Sequence, residues 1–156
     1  MNTTRTILML AAALAAAGTA LAQQAPKPEN LIKWRQSTFQ VVAWNAGRIK
    51  ASLDGGYDKD RVLRSANAIA AIANSGLGSL FAPGTETGKG WHDTTVKADA
   101  FANTARFAER GGDFARESSE LARLVSAGGD AAAVKDQFGK LQKTCKSCHD
   151  DFRNAN

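Results

Sequence analysis

Methionine is almost missing from this chain. Its two copies, Met1 and Met9, both fall in the first ten residues. Histidine is nearly as scarce, with only His92 and His149, and there are two cysteines, Cys145 and Cys148. A tetrahedral zinc centre built on those cysteines and His149 would have to look to distant His92 for another nitrogen. No block of Lys/Arg residues occurs, which removes the basic stripe that nucleic-acid binding needs. There is no internal repeat, and the alternation of apolar and polar residues that marks a half-buried strand is missing too. The thioredoxin reading of a Cys-x-x-Cys pair, which expects a βαβ setting, therefore has no support.

The apolar run Ile7 to Ala17 is too short for the roughly 20 residues of a membrane-spanning helix. It follows a start with a single cation, Arg5, and leads into Ala20-Leu21-Ala22, the small-x-small pattern read by signal peptidase. Residues 1–22 are thus expected to be a cleaved signal peptide. The mature chain would be one domain, residues 23–156, exported to the periplasm with no membrane attachment after cleavage. Its charge would be +4, with 19 basic against 15 acidic side chains. It would contain no methionine at all.

What is present is helical periodicity. Ile32, Arg35, Phe39, Val42, Ala46, Ile49 and Leu53 recur at steps of three and four, predicting a first helix over about Glu29 to Leu53 that stops at Asp54-Gly55-Gly56. Asp58 is placed to cap a second helix, with Val62, Ala66, Ile69 and Ala73 inward and Gly76 as its stop. An irregular stretch from Leu77 to Thr95, rich in glycine and holding Pro83, comes next. A third helix carries Phe107, Gly111, Phe114, Ser118, Leu121 and Val125. Gly111-Gly112 costs it about 2 kcal/mol relative to two alanines and marks a candidate kink or break. Asp130 caps a fourth, whose stripe is Val134, Phe138, Leu141, Cys145, Cys148 and Phe152. Four such helices bury their stripes most simply as an all-α, antiparallel four-helix bundle.

Cys145-Lys146-Ser147-Cys148-His149 is the c-type haem attachment motif. One helical turn separates the two sulfurs, so both can bond the vinyl groups on one porphyrin edge, and the adjacent imidazole of His149 falls over the iron. The expected cofactor is one covalent haem c. Electron-transfer cytochromes commonly use methionine as second axial ligand, and the mature chain has none. His92 is the other strong donor, and it lies in the long loop. These facts point to a five-coordinate, high-spin-type iron. The alternative is a six-coordinate, low-spin electron carrier. Nothing in the chain resembles acid–base machinery, so no enzymatic role is expected.

Several segments together resemble the class II cytochromes c, cytochrome c′ most closely. Trp34-Arg35-Gln36-Ser37-Thr38-Phe39 is similar to the family's aromatic-Arg-Gln-Ser segment. Gly47-Arg48, the loop Phe81-Ala82-Pro83-Gly84-Thr85-Glu86, Phe138-Gly139 and the run Cys145 to Arg153 follow in the family's order. Gly90 to Thr95 departs from the pattern, and so does the stretch around Leu77-Gly78, where the family's aromatic is missing. The resemblance implies an up-down-up-down bundle. It implies that Arg35 and Gln36 meet the haem propionates, that Thr95 touches the haem, and that Arg153 sits near His149. Phe39 would cover the distal face, an apolar roof that argues against peroxidase-like chemistry. Two roles follow, electron transfer to an unidentified redox partner and binding of nitric oxide and carbon monoxide. The resemblance also implies a homodimer through the first two helices, where Ala43, Ala46, Ala66 and Ala70 would permit close approach.

Overall fold

The structure, a computed structural model, describes residues 25–154. The expected signal segment and its cleavage point before Gln23 lie outside them. Four long helices make up the fold: α1 Pro28–Gly55, α2 Lys59–Ala73, α3 Thr104–Ser126 and α4 Ala131–Phe152. Smaller pieces, a 3-10 turn Leu77–Leu80 and a helical turn Asp99–Ala102, lie in the connection from α2 to α3.

Local chemistry explains where the helices start and stop. Pro28 opens α1, where a missing N–H does no harm, and Glu29 in the first turn suits the positive end of the helix dipole. Asp58 caps α2 by accepting from the Arg61 N–H (3.0 Å), and Asp130 caps α4 by accepting from the Ala133 N–H (2.8 Å). Asn103 does the same for α3 at the Arg106 N–H, 3.3 Å away. Two of the three connections are tight corners. Buried Ser52 accepts from the Asp58 N–H at 2.8 Å, closing the α1–α2 corner. Tyr57 donates its hydroxyl to the Gly129 carbonyl (3.1 Å), which ties that corner to the α3–α4 corner at the same end of the bundle.

The core draws on all four helices: Val42 and Ile49, then Val62, Ala66 and Ile69, then Leu121 and Val125, then Val134, Phe138 and Leu141. Three departures from the periodic reading matter. On α1 the buried positions are Ile32, Arg35, Val42, Asn45, Ile49 and Ser52, while Phe39 is 37% exposed. A stripe of steps of three and four drifts around a 3.6-residue helix, so Phe39 turns toward the flank rather than the core. Second, α3 runs unbroken through Gly111-Gly112, because packing against α2 and α4 outweighs the weak propensity of two glycines. Third, α4 ends at Phe152, and Arg153 already has an extended backbone (φ −119°, ψ 130°). Arg153 therefore does not share a helix face with His149.

Consecutive long helices pack along their length, α1 on α2, α2 on α3 and α3 on α4, whereas α1 and α4 are not packed on each other in this way. A cleft of about 690 Å³ runs between Lys50 and Leu53 of α1 and Phe138, Gly139 and Lys143 of α4. No helix of the described residues is long and apolar enough to cross a membrane.

A Cβ added at Gly111 or Gly112 meets nothing within 4 Å. Gly111→Ala and Gly112→Ala should each stabilise the fold by about 1 kcal/mol, read as a rise in the urea midpoint. A fall at either position would mean that the glycine is needed for close approach.

Candidate haem site

Cys145 and Cys148 lie on the last turns of α4, both partly buried and neither in a disulfide. The Cys145 thiol points back along its helix to the Leu141 carbonyl, 3.6 Å away. Burial is the main force raising both thiol pKa values, reinforced at Cys148 by the nearby charges of Cys145 and Asp151. His149 follows at once. Burial, then the charge of Arg153, lowers its pKa, so the imidazole is neutral near pH 7 and keeps a lone pair for a metal. Two thiols one turn apart with an imidazole beside them make a donor set that fits a covalently held haem.

The end of α4 is fixed from two directions. The segment Thr95–Lys97 runs beside it: the Asn154 N–H donates to the Thr95 carbonyl (2.8 Å), the Lys97 N–H to the Phe152 carbonyl (2.8 Å), and Lys97 Nζ to the Asp150 carbonyl (2.7 Å). Thr95 is thus brought close to the motif through its backbone. From α3, Arg106 Nε (3.2 Å) and Arg110 Nε (2.8 Å) both donate to Asp151 Oδ2. This clamp was not singled out from the sequence. Its one signal is the spacing of Arg106 and Arg110, four apart on one helix face.

The opposite wall comes from α1 and the long loop. Arg35 is 4% exposed, and its guanidinium donates to four neutral oxygens: the Leu80 carbonyl, Thr85 Oγ1 and the Thr85 carbonyl at 3.1 Å each, and Thr94 Oγ1 at 2.8 Å. Gln36 works on the same loop. Its Nε2 donates to the His92 carbonyl at 2.9 Å and its Oε1 accepts from the Trp91 N–H at 2.7 Å. Gly90 allows this closeness, since a Cβ there would stand 2.4 Å from Gln36 Oε1 and 2.9 Å from the Lys33 backbone nitrogen. The exposed His92 ring has Nδ1 3.3 Å from Gln36 Nε2 and 2.9 Å from the Asp93 carbonyl, and it accepts from the first or donates to the second according to its tautomer. Gly90 to Thr95, which departs from the family pattern in sequence, is therefore a built part of this wall.

Four aromatic rings join the two walls. Phe39 of α1 meets Phe81 of the loop edge-on (centroids 6.4 Å apart), Phe81 meets Phe107 of α3 at 4.7 Å, and Phe107 meets Phe152 of α4 at 5.4 Å. Phe152 is buried and lies one turn beyond His149. The structure thus brings Phe39, Arg35 and the motif into one end of the bundle.

A bundle of four helices whose last helix ends on Cys-x-x-Cys-His defines a c-type haem protein of the helical-bundle class. A family model described as cytochrome c′ matches residues 30–153. The cytochrome c′ of Rhodocyclus tenuis is 59% identical over 128 residues, covering 81% of this chain and 96% of that protein, and that of Allochromatium vinosum is 43% identical over 81% of each. Among solved structures, the cytochrome c′ of Thermochromatium tepidum superposes with a TM-score of 0.79 at 38% identity, over 83% of this chain and 98% of that one. The chain belongs to the cytochrome c′ family, and its cofactor is haem c attached through Cys145 and Cys148.

The Asp151 clamp has a pH signature. Arg110 first, then Arg106, holds the Asp151 carboxyl below its ordinary value of 3.8. A depressed folded-state pKa gives stability that is complete above the ordinary carboxylate range and is lost as pH falls through the folded pKa. Asp151→Asn should therefore lower stability at pH 7 and flatten its decline below about pH 4. Urea titrations of both proteins between pH 7 and 3 check this, and parallel acid limbs would contradict it.

Proposed function

We propose that the protein is an exported haem protein whose iron is held on one side by His149 and is otherwise five-coordinate, and that it binds nitric oxide and carbon monoxide. The observation that carries this reading is the lack of a second strong ligand. No methionine follows Met9, and His92 is held in the exposed loop by Gln36, which donates to its backbone carbonyl. When bound, the haem supplies an iron site for a diatomic gas. The chain's residues decide what reaches it. His149, neutral and beside the cysteines, is suited to hold the iron, and Phe39 is suited to crowd the far side. Arg153, beyond the helix end, bears on His149 through its charge.

Arg35 supports a site for the haem carboxylates. It is a buried cation whose hydrogen bonds all go to uncharged oxygens, and among the described residues it has no ion pair; Glu86 acts on it only at longer range. A buried charge is costly without an opposite one nearby, and a propionate beside Arg35 and Gln36 would supply it. A leucine-to-alanine variant of the cytochrome c′ from Alcaligenes xylosoxidans, 25% identical over 85% of this chain with a TM-score of 0.74, has been solved as a nitric oxide complex. Electron transfer to a redox protein is compatible with the same iron.

Electronic and resonance Raman spectra of protein purified from the periplasm test the reading, alongside an intact mass that should match a chain starting at Gln23 plus one haem. His92→Ala should leave the spectra unchanged. A low-spin ferric spectrum that vanishes in that variant would establish the six-coordinate alternative. A ligand that must push Phe39 aside meets an overpacking penalty of about 1–3 kcal/mol. Phe39→Ala should therefore tighten carbon monoxide binding several-fold or more, and an unchanged affinity would mean that Phe39 does not guard the iron.

We also propose a homodimer through α1. Trp34, Val41 and Trp44 are 50%, 47% and 62% exposed and fall on one face of that helix, with Arg48 stacked 4.7 Å over Trp44. The small-residue reading needs correction here. Ala66 is fully buried inside the bundle and Ala46 packs on the core, leaving Ala43 exposed and Ala70 half-buried. The large apolar side chains on α1 therefore carry the dimer reading. One solved cytochrome c′, 40% identical with a TM-score of 0.80, has a dimer whose dissociation is ligand-controlled. Val41→Glu should weaken association by at least roughly tenfold, about 1.4 kcal/mol, in sedimentation experiments. A parent protein that is monomeric at tens of micromolar, roughly the weak end of useful affinity, would contradict the dimer.

A further inference from the structure

Phe39 is the side chain read above as guarding the iron, and it stands on α1 facing the loop. Its aromatic neighbour is Phe81, which belongs to a different part of the chain and meets it edge-on at 6.4 Å. Phe81 is itself held on two sides. The Arg35 guanidinium lies 4.7 Å from its ring centre, and the Phe107 ring packs at 4.7 Å. Arg35 cannot shift without breaking hydrogen bonds to Leu80, Thr85 and Thr94, and Phe107 is backed by buried Phe152. Phe81 thus has firm support behind it, and Phe39 leans on its edge.

We propose that Phe81 is a positioning residue for ligand discrimination: it holds the Phe39 ring in its crowding position and acts on gaseous ligands only through Phe39. The inference rests on the reading of Phe39 as the distal group. A phenylalanine on a helix has two common χ1 wells, and the edge of Phe81 bears on which of them Phe39 occupies. Removing that edge makes both accessible. Removing Phe39 itself leaves Phe81 nothing to position.

The test is a double-mutant cycle on the haem-loaded protein, using Phe81→Leu, Phe39→Ala and the two together, with ferrous carbon monoxide affinity as one readout. Phe81→Met, which keeps volume with a flexible chain, serves if Phe81→Leu does not accumulate. The second readout is the Phe39 side-chain position in crystal structures of the gas-free parent and Phe81 variant. Phe81→Leu should tighten carbon monoxide binding roughly threefold or more in the parent, about 0.65 kcal/mol or more, and change nothing in the Phe39→Ala background. Phe39 should occupy a shifted or second rotamer. Equal tightening in both backgrounds would overturn the proposal, because Phe81 would then act without Phe39. So would an unchanged affinity and an unmoved Phe39 ring in the Phe81 variant. Should Phe39→Ala alone leave the affinity unchanged, the distal reading fails first and the positioning role falls with it.

Discussion

A buried guanidinium is hard to accommodate, and the way Arg35 is accommodated organises one end of this molecule. Its charge cannot be left without partners in a medium of low dielectric. The α1 backbone around it is already hydrogen-bonded within the helix, so the partners come from a segment some 45 to 59 residues away. The loop must therefore fold back over α1. Once it does, Ile32 is covered, Gly90 is pressed against Lys33, and Phe81 is set against the guanidinium face. Gln36, one residue along, fastens the far end of the loop through Trp91 and His92. An irregular stretch with little regular structure becomes a fixed wall because one charge needs four oxygens.

This wall also explains why the connection from α2 to α3 is long. The tight corners α1–α2 and α3–α4 sit together at one end, joined by Tyr57 and Gly129. The other end holds the chain's chemistry, with the Cys-x-x-Cys-His motif on the last turns of α4. There the bundle needs polar groups, a roof and a support for α4, and no short turn could supply all three. The α2–α3 connection supplies them in order. Leu80 to Thr94 bind Arg35, Phe81 enters the aromatic row, and Thr95 to Lys97 run along α4 to its end.

How much of this could be read from the residues depends on the range of each interaction. Helix ends were legible because caps are local: Asp58 and Asp130 reach backbone N–H groups three residues ahead, and glycines mark the stops. The haem motif was legible for the same reason, since its geometry is one turn of one helix. The pairing of Phe39 with Phe81 was not legible, because a periodic stripe does not reveal which loop a helix face meets. Gly111-Gly112 predicted a break that packing overrides. The role of Arg35 in holding the loop and the Asp151 clamp were beyond reach, because each depends on side chains brought together only by the fold. Arg35 stood out in the sequence as a charge on an apolar stripe, and that oddity was the one usable sign of its burial.

The two sides of the haem site are built by different means, and this separates what they can do. The attachment side is a single rigid helix, in which Cys145, Cys148 and His149 keep their spacing whatever happens elsewhere. Its clamps from Arg106, Arg110 and Lys97 fix where that helix ends. The facing side is assembled from α1, the loop and α3, which meet through Phe39, Phe81 and Phe107 and through the hydrogen bonds of Arg35 and Gln36. Aromatic ring contacts contribute only about 0.5–1.5 kcal/mol each, so this side depends on several segments packing together. Attachment of the cofactor therefore rests on local geometry that tolerates change around it. The facing side rests on a joint between three segments, where small changes in packing have the largest effect.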